Sequence, residues 1–164
     1  MTRTRDPIFT VLMLSIAALA TAFTAQYGFG LRPCQLCLYQ RVPYGVVIFL
    51  ALLALGLRLS SKQVALVLGL CFLAFAADGG LALYHVGVEQ HWWAGPVSCS
   101  GGLGTVHSVE DLAALLSKPI DIPSCDKVAW SLFGISMAGY NLLACVGLAG
   151  FSALAARRLA GRVR

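Results

Sequence analysis

Four long stretches of this chain carry almost no charge, and that feature decides the solvent the chain can fold in. Residues 8–27, 42–57, 64–88 and 128–156 are predominantly apolar, with Asp78 the one Asp, Glu, Lys or Arg among them. Hydrocarbon about 30 Å thick is crossed by about 20 helical residues, so the pattern predicts an all-α membrane protein. It would be a four-helix transmembrane bundle, one domain over residues 1–164. The second run is short, and its helix is expected to begin nearer Pro33 or Cys34, since proline is tolerated in a first turn. The spans are accordingly drawn at about 8–27, 38–57, 64–88 and 128–154. The first is read as a retained span, because its uncharged run exceeds the about 7–15 apolar residues of a secretory signal. With 59% hydrophobic and 12% charged residues the chain lacks the polar shell of a soluble enzyme or a disordered tail.

The net charge of +5 lies at the ends and in the loops. A nucleic-acid surface gathers its cations along one face, so no nucleic-acid partner is expected. Arg3, Arg5, Arg58, Lys62, Arg157, Arg158, Arg162 and Arg164 fall on one side of the spans, and Arg32, Arg41, Lys118 and Lys127 on the other. The excess of cations on the first side predicts that both termini are cytoplasmic. Two outer loops follow, about 28–37 and 89–127. In the second, Ser108-Val109-Glu110-Asp111 has the form of a capping box. Val109, Leu112, Leu115 and Leu116 recur at helical spacing, which predicts a short amphipathic helix. Trp92 and Trp93 suit an interfacial belt.

The six cysteines divide by these spans. Cys71 and Cys145 fall inside helices, where a thiol behaves as a small hydrophobe. Cys34 and Cys37 lie in the first outer loop, Cys99 and Cys125 in the second, and four cysteines on an oxidising side can form two disulfides. Cys34-Gln35-Leu36-Cys37 is a C-x-x-C at the mouth of a helix, a placement that lowers a thiol pKa. Haem attachment would need His where Leu38 stands, and zinc would want a second close pair, so no metal is expected. A purely structural bridge between Cys99 and Cys125 remains open on these grounds. Arg41 follows Cys37 by one helical turn and can meet either a thiolate and a polar ligand or a lipid phosphate. His85, near the outer end of the third span, can serve a proton or a carbonyl, and Asp78 is a carboxylate within a span, a functional flag in itself.

Taken together these residues resemble the DsbB family of membrane disulfide bond formation proteins. The likeness rests on four spans, Pro33-Cys34-Gln35-Leu36-Cys37 running into Gln40-Arg41, a separated cysteine pair in the second outer loop, Tyr84-His85-Val86-Gly87-Val88-Glu89 before it, and Trp130 shortly after Cys125. The resemblance implies a thiol:quinone oxidoreductase of the bacterial inner membrane with its redox loops in the periplasm. It implies a DsbA-type thioredoxin-fold partner that attacks a Cys99–Cys125 disulfide at Cys99. Cys125 would then attack Cys34, and Cys37 would be released toward a bound quinone, ubiquinone ahead of menaquinone. Arg41 would hold the quinone head, with Trp130 and His85 walling its site. Asp78, Cys71 and Cys145 match no part of that pattern, and Gly101-Gly102 after Cys99 departs from it. Two other classes compete: a quinone and thiol enzyme like vitamin K epoxide reductase, in which the C-x-x-C follows the loop cysteines, and a disulfide-stapled membrane scaffold without activity.

Overall fold

The computed structural model describes residues 6–96 and 123–161. Helix α1 covers Asp6–Phe23 and runs into a wider π turn at Thr24–Gly28. A short α2, Gln35–Tyr39, leads through Gln40 into α3, Arg41–Gly56. The interruption has a cause in the sequence: Pro43 has no N–H to give to Tyr39, and its ring crowds that carbonyl. Helix α4 spans Ser61–Glu89, a two-stranded hairpin pairs Ser131–Leu132 with Ile135–Ser136, and α5 spans Met137–Gly161. Four segments are long and apolar enough to cross a membrane: Asp6–Gly28, Gln35–Gly56, Ser61–Glu89 and Met137–Gly161. The all-α four-helix architecture expected from the hydropathy pattern is therefore present. Cys99 and the short helix expected around residues 108–116 lie outside the described residues.

The connections are set by local chemistry. Between α3 and α4 the chain turns through Arg58 at φ 49°, and the Ser60 N–H donates to Gln63 Oε1 at 2.9 Å, half of a capping box that opens α4. So short a turn makes α3 and α4 antiparallel neighbours. At its other end α4 closes in a Schellman motif: Trp92 N–H donates to Gly87 O at 2.9 Å and His91 N–H to Val88 O at 3.1 Å, with His91 at φ 58°.

Helix α5 begins at Met137 and not near residue 128. Residues 128–136 are apolar enough to read as helix, but Phe133 at φ 51° and Gly134 at φ 78° form the two-residue turn of a tight hairpin instead. Ser136 then caps α5, its Oγ accepting the Gly139 N–H at 3.1 Å.

The interior is one apolar seam. Ile8 and Val11 of α1, Tyr44 and Val47 of α3, Leu68 and Phe75 of α4, and Leu148 of α5 pack in a single cluster, with Tyr44 meeting Phe75 edge to face at 5.7 Å. The outer surface is also apolar: Phe9, Phe49, Leu66, Leu73, Val146 and Leu154 are exposed. A helix apolar on all sides is what a bilayer selects. The extensive α4–α5 pairing brings Gly79 close enough that an added Cβ would lie 3.5 Å from that of Cys145, the small-residue approach common between membrane helices.

Candidate redox site

At the mouth of the bundle Cys34 is the N-cap of α2, with extended backbone (ψ 172°), and its Sγ accepts the Cys37 N–H at 3.4 Å. The two sulfurs lie 3.1 Å apart, both cysteines being free thiols. His85 Nε2 approaches Cys34 Sγ at 3.5 Å from α4. The Cys34 thiol is pushed down to about 4, first by its hydrogen bond with Cys37 and, against the cost of burial, by those with His85 and the Cys37 backbone.

Cys125 is disulfide-bonded and almost completely buried, at 1% exposure. It packs with Cys34, Leu36 and Val88 in one small cluster bordered by Cys37 and Tyr84, apart from the main seam. The fold thus joins a residue of the second loop to the C-x-x-C.

A cavity of about 350 Å³ opens beside the pair, lined among others by Cys34, Cys37, Arg41, His85, Glu89 and Trp130. Its volume falls within the range of about 300–1,000 Å³ usual for small-molecule sites. Trp130 and Met137 also line an apolar cavity of about 490 Å³ against Thr24, Phe29 and Leu31. Arg41 is anchored to α1: its Nη1 donates to Gln26 Oε1 at 2.6 Å, and its guanidinium stands 5.0 Å from the centre of the Phe23 ring. Among the described residues it makes no hydrogen bond to either sulfur, so it meets the Cys37 side of the site as a wall of the cavity.

Several of the site's residues have no chemistry assigned to them by the sequence motifs. Glu89 sits one turn beyond His85, 3.9 Å from its Nε2, and accepts a hydrogen bond from Ser136, so the cap of α5 also ties that helix to α4. Gln40 is buried and contacts His85 Nδ1 at 3.0 Å. Cys145, expected only to pack, donates to Asp78 Oδ2 at 3.2 Å. A polar residue inside an apolar run was the available sign for Gln40 and Asn141. Trp93 does more than sit at an interface: its Nε1–H donates to Tyr84 O at 2.9 Å and its ring stacks on Tyr84 at 5.9 Å.

Comparison with known proteins agrees with this geometry. The family described as "Disulfide bond formation protein DsbB" matches residues 4–155. "Disulfide bond formation protein B 2" of Pseudomonas savastanoi pv. phaseolicola is 33% identical over 161 residues, covering 90% of this chain and 85% of that protein. "Disulfide bond formation protein B" of Methylobacillus flagellatus is 29% identical over 161 residues, covering 93% and 92%. "Uncharacterized protein RP370" of Rickettsia prowazekii is 35% identical over 139 residues, covering 81% and 76%. No solved structure matches. A match over nearly the whole chain, on a four-helix membrane architecture with a cavity-lining C-x-x-C, means that this chain belongs to the DsbB family of disulfide bond formation proteins.

Proposed function

We propose that the protein reoxidises a periplasmic thioredoxin-fold dithiol of the DsbA type and delivers the two electrons to a membrane quinone. The observation that carries this reading is the burial of Cys125 in one cluster with Cys34, beside the cavity that Cys37 and Arg41 line. Thiol exchange needs two sulfurs to approach one another, and this packing brings Cys125 and Cys34, distant in sequence, into one cluster.

The partner's thiolate attacks the disulfide of the second loop at Cys99, and Cys125 leaves as a thiolate. Cys125 then attacks Cys34 of an oxidised Cys34–Cys37 pair, and Cys37 is the leaving thiolate, facing the cavity. The partner's second thiol closes its own disulfide and frees Cys99, after which Cys99 and Cys125 re-form theirs and Cys34 and Cys37 stand reduced. A quinone held in the cavity would supply the acceptor for the two electrons and two protons given up as the Cys34–Cys37 disulfide returns. The residues present fit such a group: a cavity with Arg41 and His85 as polar contacts, thiols on one wall, and Trp130 and Met137 leading to further apolar space. Arg41 orients a carbonyl, and Trp130 excludes water.

In this reading the four redox cysteines face the periplasm and both termini the cytoplasm of an inner membrane, with ubiquinone the acceptor. The test is direct. Purified protein, a reduced thioredoxin-fold partner and a soluble ubiquinone analogue are expected to lose partner thiols and quinone absorbance two for one, and Cys34→Ser to abolish both. Thiol loss without quinone consumption would refute the electron route.

A further inference from the structure

A line of hydrogen bonds leads from Cys34 into the middle of the bundle. His85 Nδ1 faces Gln40 Nε2 at 3.0 Å, and Gln40 Oε1 accepts from Asn141 Nδ2 at 2.9 Å. The same Nδ2 also donates to Asp78 Oδ2 at 3.4 Å, while Asn141 Oδ1 accepts from the Tyr44 hydroxyl at 2.7 Å. Asp78, His85, Gln40 and Tyr44 are all buried.

These contacts have a direction. Asp78 Oδ2 accepts from Cys145 and from Asn141, which fixes the Asn141 amide with its nitrogen toward Asp78 and its oxygen toward Tyr44. The nitrogen also meets Gln40, so Gln40 presents its oxygen to Asn141 and its own nitrogen to His85. An amide nitrogen only donates. The imidazole nitrogen it meets must therefore be the unprotonated one.

We propose that Gln40 is a positioning residue of the redox centre: clamped by Asn141, it holds His85 in the Nε2–H tautomer, so that the imidazole donates to Cys34 Sγ. The role rests on Cys34 and Cys37 being the redox pair. It gives Asp78 and Cys145 a purpose, since together they orient the amide that orients the next one. An imidazole fixed this way donates to the thiolate and is itself held in orientation by the amide behind it. Rotated to the other tautomer, the same ring would present a lone pair to the sulfur and favour the thiol.

The experiment uses the full-length reduced protein in detergent with a chelator present. Nitrogen-15 shifts of its histidines, with His91→Gln and His107→Gln used for assignment, are expected to show His85 protonated on Nε2. The pH profile of Cys34 alkylation, read by peptide mass spectrometry, is expected to move its midpoint up by about one pH unit in Gln40→Leu, the size of one lost charge-assisted hydrogen bond. In a His85→Leu background the Gln40→Leu change is expected to add nothing, because Gln40 acts through His85. An Nδ1–H tautomer in the unmodified protein would overturn the proposal, as would an equal Gln40→Leu shift with and without His85. The tautomer is read without altering Gln40, so poor folding of that variant leaves the question answerable. Neither readout requires turnover; failure of the quinone assay alone would count against the redox reading and not against the positioning of His85.

Discussion

In the proposed redox role Cys34 works through its protonation. With the thiol held down to about 4 by the hydrogen bond from Cys37 and by His85, the reduced pair contains a thiolate at any neutral pH. A neutral alkylating reagent is therefore expected to modify Cys34 at a rate nearly constant between about pH 5.5 and 8, whereas an ordinary thiol gains about tenfold per pH unit in that range. A tenfold rise would show that the sulfur is not held as a thiolate. The same shift has a stability sign. A depressed folded-state value adds stability to the reduced protein that is complete above the unfolded value of 9.0 and lost as pH falls toward about 4. Acidification through that window is expected to lower the thermal midpoint of the reduced protein more than that of the protein oxidised at Cys34 and Cys37, which has no thiol there to titrate. Arg41 gives a second residue-scale expectation, because its fork is already engaged by Gln26 and Phe23 on the cavity wall. Arg41→Ala is expected to cost about 1.5–3 kcal/mol of quinone interaction, or roughly ten- to hundredfold in apparent KM. Arg41→Lys should recover only part of this, since an ammonium lacks the planar fork. Equal KM values in all three proteins would make Arg41 a lipid anchor only.

At the scale of elements, hydropathy reports solvent and not conformation, and this explains both what could be read and what could not. The apolar runs located four helices because a bilayer demands internally satisfied backbone over each run. The same runs misplaced the start of α5, since Trp130, Leu132 and Phe133 are as apolar as helix residues although they belong to an exposed hairpin. The evidence for the hairpin was confined to Gly134, whose φ of 78° a Cβ resists. Gly134→Val is expected to destabilise the hairpin by about 1–2 kcal/mol, seen as a lowered thermal midpoint with the four helices retained by circular dichroism. The C-x-x-C and Arg41 were legible because their chemistry is local. Gln40 and Asn141 were not, because they meet across 101 positions of sequence and gain meaning only once α5 lies against the α2–α3 break. Packing at the end of α4 is equally nonlocal: a Cβ on Gly87 would come within 2.0 Å of the Trp93 ring. Gly87→Ala is therefore expected to expel that ring and red-shift its emission, measured with Trp92 and Trp130 replaced by Phe. An unchanged spectrum would place Trp93 elsewhere.

For the molecule as a whole, the bundle's ends do different work. The α3–α4 turn and the end of α5 carry Arg58, Lys62, Arg157 and Arg158, while the C-x-x-C, the α4 C-terminus and the hairpin gather at the redox end. A partner protein approaching that end meets a constraint set by burial. Cys125, at 1% exposure, cannot be reached by the sulfur of another folded protein, yet it is packed with Cys34. In the proposed route, attack from outside would then fall on the other sulfur of its disulfide, and Cys125 would pass the electrons inward. Replacing Cys125 by Ser removes the thiolate that carries electrons inward and that would expel the partner if exchange ran backward. Given the partner in its disulfide form, Cys125→Ser is therefore expected to accumulate a covalent adduct: the Cys99 thiolate attacks the partner's disulfide, the partner's second sulfur leaves as a thiolate, and no Cys125 thiolate is present to resolve the Cys99–partner bond, which is stable on non-reducing gels and dissolved by dithiothreitol. Cys99→Ser should form no such adduct, because the one remaining loop sulfur is buried against its own internal target. Equal trapping by both variants would mean that the partner reaches Cys125 directly, and the inward order of transfer from Cys99 through Cys125 to Cys34 would have to be reversed at its first step.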